Sequence, residues 1–239
     1  MTASAPQPPV TAAIVPAAGR GERLGPGTPK ALRLLGGAPL LVHAVRSLSR
    51  ARLVDLVVVA APPDQVDQVR SLLSDHHTGA ALEVVAGGPT RQESVRRALA
   101  GLPDSVQTVL VHDAARPLAP VELVDAVAAA VRDGAVAVVP VLPVADTVKR
   151  IDGDTVVETL DRATLRAIQT PQGFSRATLE AAHLDAAGEE ATDDAALVER
   201  LGRPVVVVPG AEEAFKVTRP LDLLLAEAVL TRRRAGGVR

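Results

Sequence analysis

The sequence predicts an α/β fold in which a mostly parallel β-sheet is covered by helices on both faces, giving three layers. Short apolar runs of strand length alternate along the chain with segments of helical character. The run at 53–60 is apolar apart from one acid, which is typical of a strand buried on both faces. A length of 239 residues with 47% hydrophobic content is enough for one domain.

The elements follow in a regular order. The first strand is predicted at 12–15, an unbroken apolar run. Further strands are predicted at 53–60, 82–86, 108–111, 135–139 and 205–208. Helices are predicted at 39–50, 64–73, 92–102, 120–132, 175–187, 194–201 and 220–234. Gly134 is suited to end a helix, and Pro220 to begin the last one.

One segment interrupts this alternation and predicts a projecting β-hairpin. Two β-branched and charged runs, 144–150 and 154–159, flank the tripeptide 151–153, which contains the turn signal Asp-Gly. A lone two-stranded hairpin is only marginally stable in water. We therefore expect this arm, at about 143–163, to pack against a second subunit and form a homodimer. The alternative is an arm that folds back on its own sheet.

Composition excludes several classes of protein. A net charge of -2 gives no global attraction for nucleic acid or an anionic membrane, and the lack of Trp and Tyr argues against base stacking. The absence of Cys excludes disulfides, thiolate catalysis and Cys-ligated metals, and it is compatible with the cytoplasm. No apolar run approaches the roughly 18 residues that span a bilayer. We expect residues 1–9 to form a disordered lead-in to one domain, 10–239.

A glycine-rich, basic loop follows the first predicted strand. Its glycines, which leave the backbone open to an anion, are Gly19, Gly21, Gly25 and Gly27. Arg23 and Lys30 add positive charge, so we interpret the segment as a nucleotide-binding loop. The dinucleotide fingerprint is excluded because Leu24 stands where its third glycine is needed, and the P-loop because Pro29 precedes Lys30. A plain strand-to-helix connection is the alternative.

Two further loops follow predicted strands. Asp113 comes just after the strand at 108–111 and can help to hold a divalent metal, while Arg116 can organise it or meet an anion. An Asp that caps the next turn, with the Arg as its ion pair, is the alternative. Gly87 and Gly88 precede Ser94 and offer partners for the edge of a base, or they only form a turn before a helix.

In order along the chain, these motifs resemble those of one known family. They are Pro16-Ala17-Ala18-Gly19 with Gly21, Arg23 and Pro29-Lys30; Gly87-Gly88 with Arg91 and Ser94; Val111-His112-Asp113-Ala114-Ala115-Arg116-Pro117; Asp146-Thr147; Asp161-Arg162; Thr170-Pro171-Gln172; Thr192-Asp193; and Lys216-Val217-Thr218-Arg219-Pro220. The set is similar to that of the 2-C-methyl-D-erythritol 4-phosphate cytidylyltransferases of the non-mevalonate isoprenoid pathway, over roughly residues 12–230. The resemblance implies a Rossmann-like fold of the nucleotide-diphospho-sugar transferase type.

The resemblance also implies an activity and a set of roles. CTP and the polyol phosphate would give a CDP-polyol and pyrophosphate, with Mg²⁺ bridging phosphate oxygens and Asp113 serving the metal. The catalytic residues would be Arg23 and Lys30 on the triphosphate, with Arg162 and Lys216 on the polyol phosphate. Nucleotide contacts would come from Ala17, Ala18, Gly19, Gly88, Ser94, Asp113 and Ala114. Substrate contacts would come from Asp113, Arg116, Thr147, Arg162, Thr170, Thr192 and Lys216.

The resemblance further implies that Thr147 and Arg162 belong to the dimer arm and reach the site of the neighbouring subunit. A cytidylyltransferase of the same family that uses ribitol 5-phosphate is the closest alternative, because the machinery that handles phosphate is shared. A non-catalytic nucleotide-binding module is the alternative from a different class. Cations aimed at two separate phosphates argue against a mere binding module.

Overall fold

The computed structural model describes residues 10–19, 29–76, 79–186 and 191–236. The expected lead-in at 1–9 and the part of the glycine loop that carries Arg23 lie outside the described residues, as does the last residue of the helix predicted at 175–187. The helices are α1 (Leu40–Arg50), α2 (Val66–Ser74), α3 (Arg91–Ala100), α4 (Val121–Arg132), α5 (Arg176–Asp185), α6 (Asp194–Arg200) and α7 (Pro220–Ala235). The strands are β1 (Thr11–Pro16), β2 (Leu34–Leu35), β3 (Ala38–Pro39), β4 (Leu56–Ala61), β5 (Ala81–Ala86), β6 (Thr108–Val111), β7 (Ala137–Pro143), β8 (Val148–Asp152), β9 (Thr155–Leu160), β10 (Arg166–Ile168), β11 (Gln172–Ser175) and β12 (Val206–Pro209).

The main sheet confirms the predicted class. Its strands follow the order β10-β7-β11-β6-β1-β4-β5, and β12 also pairs with β7. The pairs of β1 with β4 and β6, of β4 with β5 and of β7 with β12 are parallel, whereas β10 and β11 are antiparallel to their neighbours. The carboxyl ends of β1, β4, β5 and β6 therefore meet at one edge of the sheet.

The two largest parts of the core are mainly aliphatic layers, one on each face of the sheet. Successive residues of a strand point to opposite faces, so Ala13 and Val15 pack with α1, α2 and α4, while Ala12 and Ile14 pack with α3, α5 and α6. Phe174 on β11 is the largest of the fully buried side chains. This arrangement fixes the loops at the carboxyl edge of the sheet from both sides.

The arm is the separate two-stranded sheet of β8 and β9. Asp152 lies opposite Thr155, so Gly153 and Asp154 form the turn, one residue later than the sequence analysis predicted. Gly153 has a φ of +54°, a left-handed conformation that glycine adopts without strain. The arm exposes large apolar side chains, namely Ile151 at 64%, Val156 at 55% and Val157 at 55%.

Four short strands, β2, β3, β10 and β11, were not predicted. β2 and β3 have only two residues each, joined by a turn in which Gly36 and Gly37 have positive φ. β11 contains Gly173 in place of a β-branched residue because α4 passes close by: a Cβ at Gly173 would lie 2.7 Å from Cγ1 of Val127. Within the described ranges, no helix has the length and apolarity needed to cross a membrane.

Candidate active site

The start of the glycine loop lies beside the turn that follows β5. The backbone N–H of Ala17 donates to the carbonyl of Ala60 over 2.8 Å, which holds the loop against the end of β4. A Cβ at Gly87 would lie 2.7 Å from the Cβ of Ala18, so only glycine allows the two segments to approach this closely. Gly19 is exposed, and a Cβ built on it would have no neighbour within 4 Å among the described residues. The start of the glycine loop and the turn at Gly87 and Gly88 thus lie directly against each other.

Ser94 supports the second of these segments from within α3. The N–H of Gly88 donates to Oγ of Ser94 over 3.0 Å, and this hydroxyl lies 2.9 Å from the carbonyl of Thr90. Thr90 caps the helix by accepting from the N–H of Glu93 over 3.1 Å. The structure therefore assigns Ser94 a role in shaping the turn, and its contact with a base stays a prediction.

Asp113, just after β6, is the centre of the charged cluster. Nζ of Lys216 lies 2.7 Å from its Oδ2, and Nε of Arg91 lies 3.2 Å from its Oδ1. Its N–H donates to Oγ1 of Thr170 over 3.0 Å. Burial raises the pKa of Asp113, but Arg91 and Lys216 together outweigh this effect and hold it well below the usual range. Asp113 is therefore a carboxylate at neutral pH.

His112 orders this loop through both of its ring nitrogens. Its Nε2 lies 3.2 Å from the carbonyl of Arg116, so this nitrogen carries the proton. Its Nδ1, 3.1 Å from Oγ1 of Thr170, then accepts from the hydroxyl. Burial lowers the pKa of His112 to about 4, so the ring is neutral at physiological pH.

Arg116 holds backbone segments together, and within the described part of the chain no ion pair joins it to a carboxylate. Its Nη1 donates to the carbonyl of Ala214 over 2.7 Å, and its Nη2 donates to the carbonyl of Ile168 over 3.1 Å. Burial lowers the pKa of its guanidinium, and Asp113 partly offsets this effect. The N–H of Val217 also donates to the carbonyl of Ala115 over 2.8 Å. These bonds fasten the segment before α7 to the Asp113 loop and so place Lys216.

Arg91 connects Asp113 to a second buried carboxylate. Its Nη1 lies 2.7 Å from Oδ2 of Asp194, and Nε2 of His183 lies 2.9 Å from Oδ1 of the same residue. Burial lowers the pKa of Arg91, but Asp194 and Asp113 raise it above its ordinary value. No role was predicted from the sequence for Arg91, Asp194 or His183. The available signal was an arginine at the first position of a helix, where the helix dipole disfavours a cation that is not paired.

Three further predicted residues, Lys30, Ala114 and Thr192, lie in separate parts of the chain. Lys30 is half-buried and begins the 3-10 turn Lys30–Leu32 at the end of the glycine loop. Ala114 is buried beside Asp113. Thr192 is exposed and precedes Asp193, whose side chain caps α6 by accepting from the N–H of Ala196 over 3.0 Å.

Thr147 and Arg162 lie at the base of the arm. Both are exposed, and Nη1 of Arg162 donates to the carbonyl of Ala145. The structure therefore brings together Asp113, Thr170 and Lys216 among the predicted substrate residues. The reach of Thr147 and Arg162 into a neighbouring subunit stays a prediction.

The fold and the site together define the class of this protein. It is an α/β protein of the nucleotidyltransferase type, and its charged cluster lies at the carboxyl edge of a mostly parallel sheet. Residues 11–232 match the family model IspD, described as 2-C-methyl-D-erythritol 4-phosphate cytidylyltransferase, and the chain belongs to this family. The resemblance inferred from the motifs is thereby confirmed.

Individual relatives agree with the family match. The chain is 61% identical over 233 residues to the 2-C-methyl-D-erythritol 4-phosphate cytidylyltransferase of Streptomyces coelicolor, covering 94% of this chain and 86% of the relative. It is 39% identical to the crystal structure of the protein with the same name from Thermus thermophilus, with a TM-score of 0.74, covering 94% and 100% of the two chains. It is 32% identical to 4-diphosphocytidyl-2C-methyl-D-erythritol synthase from Anaerococcus prevotii, with a TM-score of 0.81, covering 93% and 96%.

Proposed function

We propose that this protein transfers the cytidylyl group of CTP to 2-C-methyl-D-erythritol 4-phosphate, giving 4-diphosphocytidyl-2-C-methyl-D-erythritol and pyrophosphate. The observation that carries the proposal is the pairing of Lys216 and Arg91 with the carboxylate of Asp113, at the edge of the sheet where the strands before the two glycine segments also end. Membership of the family supports the same substrates.

The reaction needs no nucleophile from the protein. An oxygen of the polyol phosphate forms a bond to the α-phosphorus of CTP, and the bond from this phosphorus to the oxygen bridging it to the β-phosphate breaks, so pyrophosphate leaves. The attacking phosphate is mostly dianionic at pH 7, because its second pKa is about 6, and no general base is required. Burial lowers the pKa of His112 to about 4 and makes its ring a weak base, which agrees with a mechanism that needs no general base.

The main obstacle is repulsion between the two anions. Two unit charges 4 Å apart repel by about 4 kcal/mol at an effective dielectric constant of 20, so several cations are needed at once. We assign Arg23 and Lys30 to the triphosphate, where they stabilise the charge that develops on the α-phosphate and on pyrophosphate. We assign Lys216 and Arg162 to the polyol phosphate, which they hold in line for attack.

A divalent cation such as Mg²⁺ fits the residues that are present. Asp113 is an ionised oxygen donor, and a metal would take the place of Lys216 at its Oδ2, because Arg91 pairs with its Oδ1. In the ranges 10–19, 29–76, 79–186 and 191–236 no group of three or more His, Asp or Glu side chains could hold a metal on its own, so substrate oxygens would complete the site. One carboxylate together with substrate phosphates is the usual way in which proteins bind Mg²⁺. When bound, the cation would neutralise charge on the phosphate oxygens, and Asp113 would hold it.

Pyrophosphate release tests the proposal. The purified protein is incubated with CTP and Mg²⁺, and with either 2-C-methyl-D-erythritol 4-phosphate or ribitol 5-phosphate. We expect release with the methylerythritol compound at a much higher kcat/KM. A preference for ribitol 5-phosphate would assign the chain to the alternative activity, and no release with either compound would reject a cytidylyltransferase.

The arm supports a homodimer as the working form. It exposes Ile151, Val156 and Val157 on a hairpin that makes no strand pairing with the main sheet. A second copy of the chain would cover these side chains and place Thr147 and Arg162 near the site of its neighbour. We also place the enzyme in the cytoplasm, with which a chain that has no Cys is compatible.

A further inference from the structure

A continuous chain of charged contacts leads from the site into the protein. It runs from Asp113 to Arg91, from Arg91 to Asp194, and from Asp194 to His183. Three helices supply three of its four members, since Arg91 begins α3, His183 lies on α5 and Asp194 begins α6, while Asp113 lies in the loop after β6. The helices that cover one face of the sheet are thus linked to the Asp113 carboxylate through Arg91.

The inner end of this chain is withdrawn from solvent. The side chain of Asp194 is 0% exposed and that of His183 is 2% exposed, whereas 31% of the Arg91 side chain is accessible. Removing charges from water is costly, and a buried ion pair seldom stabilises a protein more than apolar packing of the same volume. A gain in net stability therefore explains the buried Asp194 and His183 less well than the position that they impose on Arg91.

The geometry restricts Arg91 to one position. Its Nη1 is tied to Asp194 and its Nε to Asp113, so the planar guanidinium is held at both ends. Asp194 in turn receives a hydrogen bond on Oδ1 from His183, which leaves Oδ2 to Arg91. Oδ1 of Asp113 accepts from Arg91, and Oδ2 pairs with Lys216 in this structure, so a bound cation would reach Oδ2 once Lys216 releases it.

We propose that His183 and Asp194 are positioning residues for the nucleotide site. They hold Arg91 so that the carboxylate of Asp113 presents Oδ2 to a cation bound with CTP. The proposal rests on the proposed function, which it extends by two residues that touch neither substrate. Loss of partners that orient a metal-binding side chain typically weakens metal affinity by roughly 10-fold to 100-fold.

Two variants of His183 separate positioning from helix packing. His183→Phe keeps a ring but removes the donor to Asp194, whereas His183→Gln keeps an N–H donor at a similar reach. We expect His183→Phe to raise the dissociation constant of CTP with Mg²⁺ by roughly 10-fold, measured by calorimetry without the polyol phosphate. His183→Gln should restore most of this affinity.

Two further variants keep the test decisive. Arg91→Lys retains the charge, but an ammonium cannot span both carboxylates in the same way, so its affinity for CTP should also fall by about 10-fold even if His183→Phe does not fold. Glu180→Ala breaks an exposed ion pair with Arg176 on the same helix as His183 and should leave CTP affinity unchanged.

The CTP affinities of these variants test the positioning role separately from pyrophosphate release, which tests the proposed function. Normal CTP affinity in a folded His183→Phe or Arg91→Lys variant would overturn the proposal, as would equal losses in His183→Phe and His183→Gln. A wild-type protein that binds CTP with Mg²⁺ but releases no pyrophosphate would overturn the proposed function alone, because the calorimetric comparison does not depend on turnover.

Discussion

Nζ of Lys216 lies 2.7 Å from Oδ2 of Asp113, so one ion pair joins the segment before α7 to the loop after β6. The contact is reinforced by the bonds of Arg116 to Ala214 and of Val217 to Ala115. The cation that we assign to the polyol phosphate therefore lies against the carboxylate that we assign to the nucleotide and its metal. The two substrates should meet at this point.

Replacing Lys216 by Ala should lower kcat/KM for the polyol phosphate by about 100-fold or more. The reason is that a cation aimed at an anionic reacting group is lost, and removal of one such group typically costs about 10²-fold to 10³-fold in rate. Steady-state pyrophosphate release at saturating CTP measures the effect. Arg203→Ala removes an exposed cation elsewhere and serves as the control. An unchanged kcat/KM in Lys216→Ala would remove Lys216 from the mechanism.

Replacing Gly87 by Ala should displace the turn after β5 from the glycine loop. The new methyl group would lie 2.7 Å from the Cβ of Ala18, and misplacement by about 1 Å can cost about 10²-fold in rate. We expect a large fall in kcat/KM for CTP. Gly101→Ala at the other end of α3 is a matched control, because its Cβ would meet its first neighbour at an ordinary 3.7 Å. Equal activity in both variants would argue against this close approach.

His112 should make stability depend on pH in the acid range. Its pKa is lowered by burial from 6.5 to about 4, so between these values the unfolded chain binds a proton that the folded chain does not. Stability should fall as the pH drops from about 6.5 to about 4, by up to about 3 kcal/mol from this group, and the contribution is complete above about pH 6.5. The difference in the free energy of unfolding between these two pH values should be smaller in His112→Gln. An identical pH dependence would contradict the neutral buried ring.

Replacing Val156 by Asp should dissociate the expected homodimer. Val156 lies opposite Ile151 on the arm, and a charge there would oppose burial of the pair against a second copy. Light scattering should give twice 24.7 kDa for the wild type and 24.7 kDa for the variant. Val207→Asp, at an exposed valine on β12, should leave the dimer intact. A wild-type mass of one chain would reject the dimer.

Much of the fold follows from local sequence patterns. The helices predicted at 39–50 and 120–132 match α1 and α4, and the strand at 108–111 matches β6, because the spacing of apolar residues reports burial directly. β11 was missed because Gly173 reflects the close passage of α4, a tertiary constraint that no local pattern records. The turn of the arm was placed one residue early because cross-strand pairing, and not the Asp-Gly signal alone, sets its register.

Only some of the contacts in the candidate site were predicted from the sequence. Asp113, Thr170 and Lys216 were predicted from motifs, and the structure brings them into contact. The partnership of Arg91 with Asp194 joins residues 103 positions apart, and neither lies in a pattern that specifies the other. Such pairs depend on how helices pack across a sheet, so a single sequence does not predict them.

The most direct test of the central claim is a crystal structure of the protein with CTP and Mg²⁺. We expect Arg23 and Lys30 to contact the triphosphate, Asp113 to face the metal and the cytosine to lie against the turn at Gly87 and Gly88. A triphosphate bound away from Lys30 and Arg23, or a base seated elsewhere, would contradict the claim.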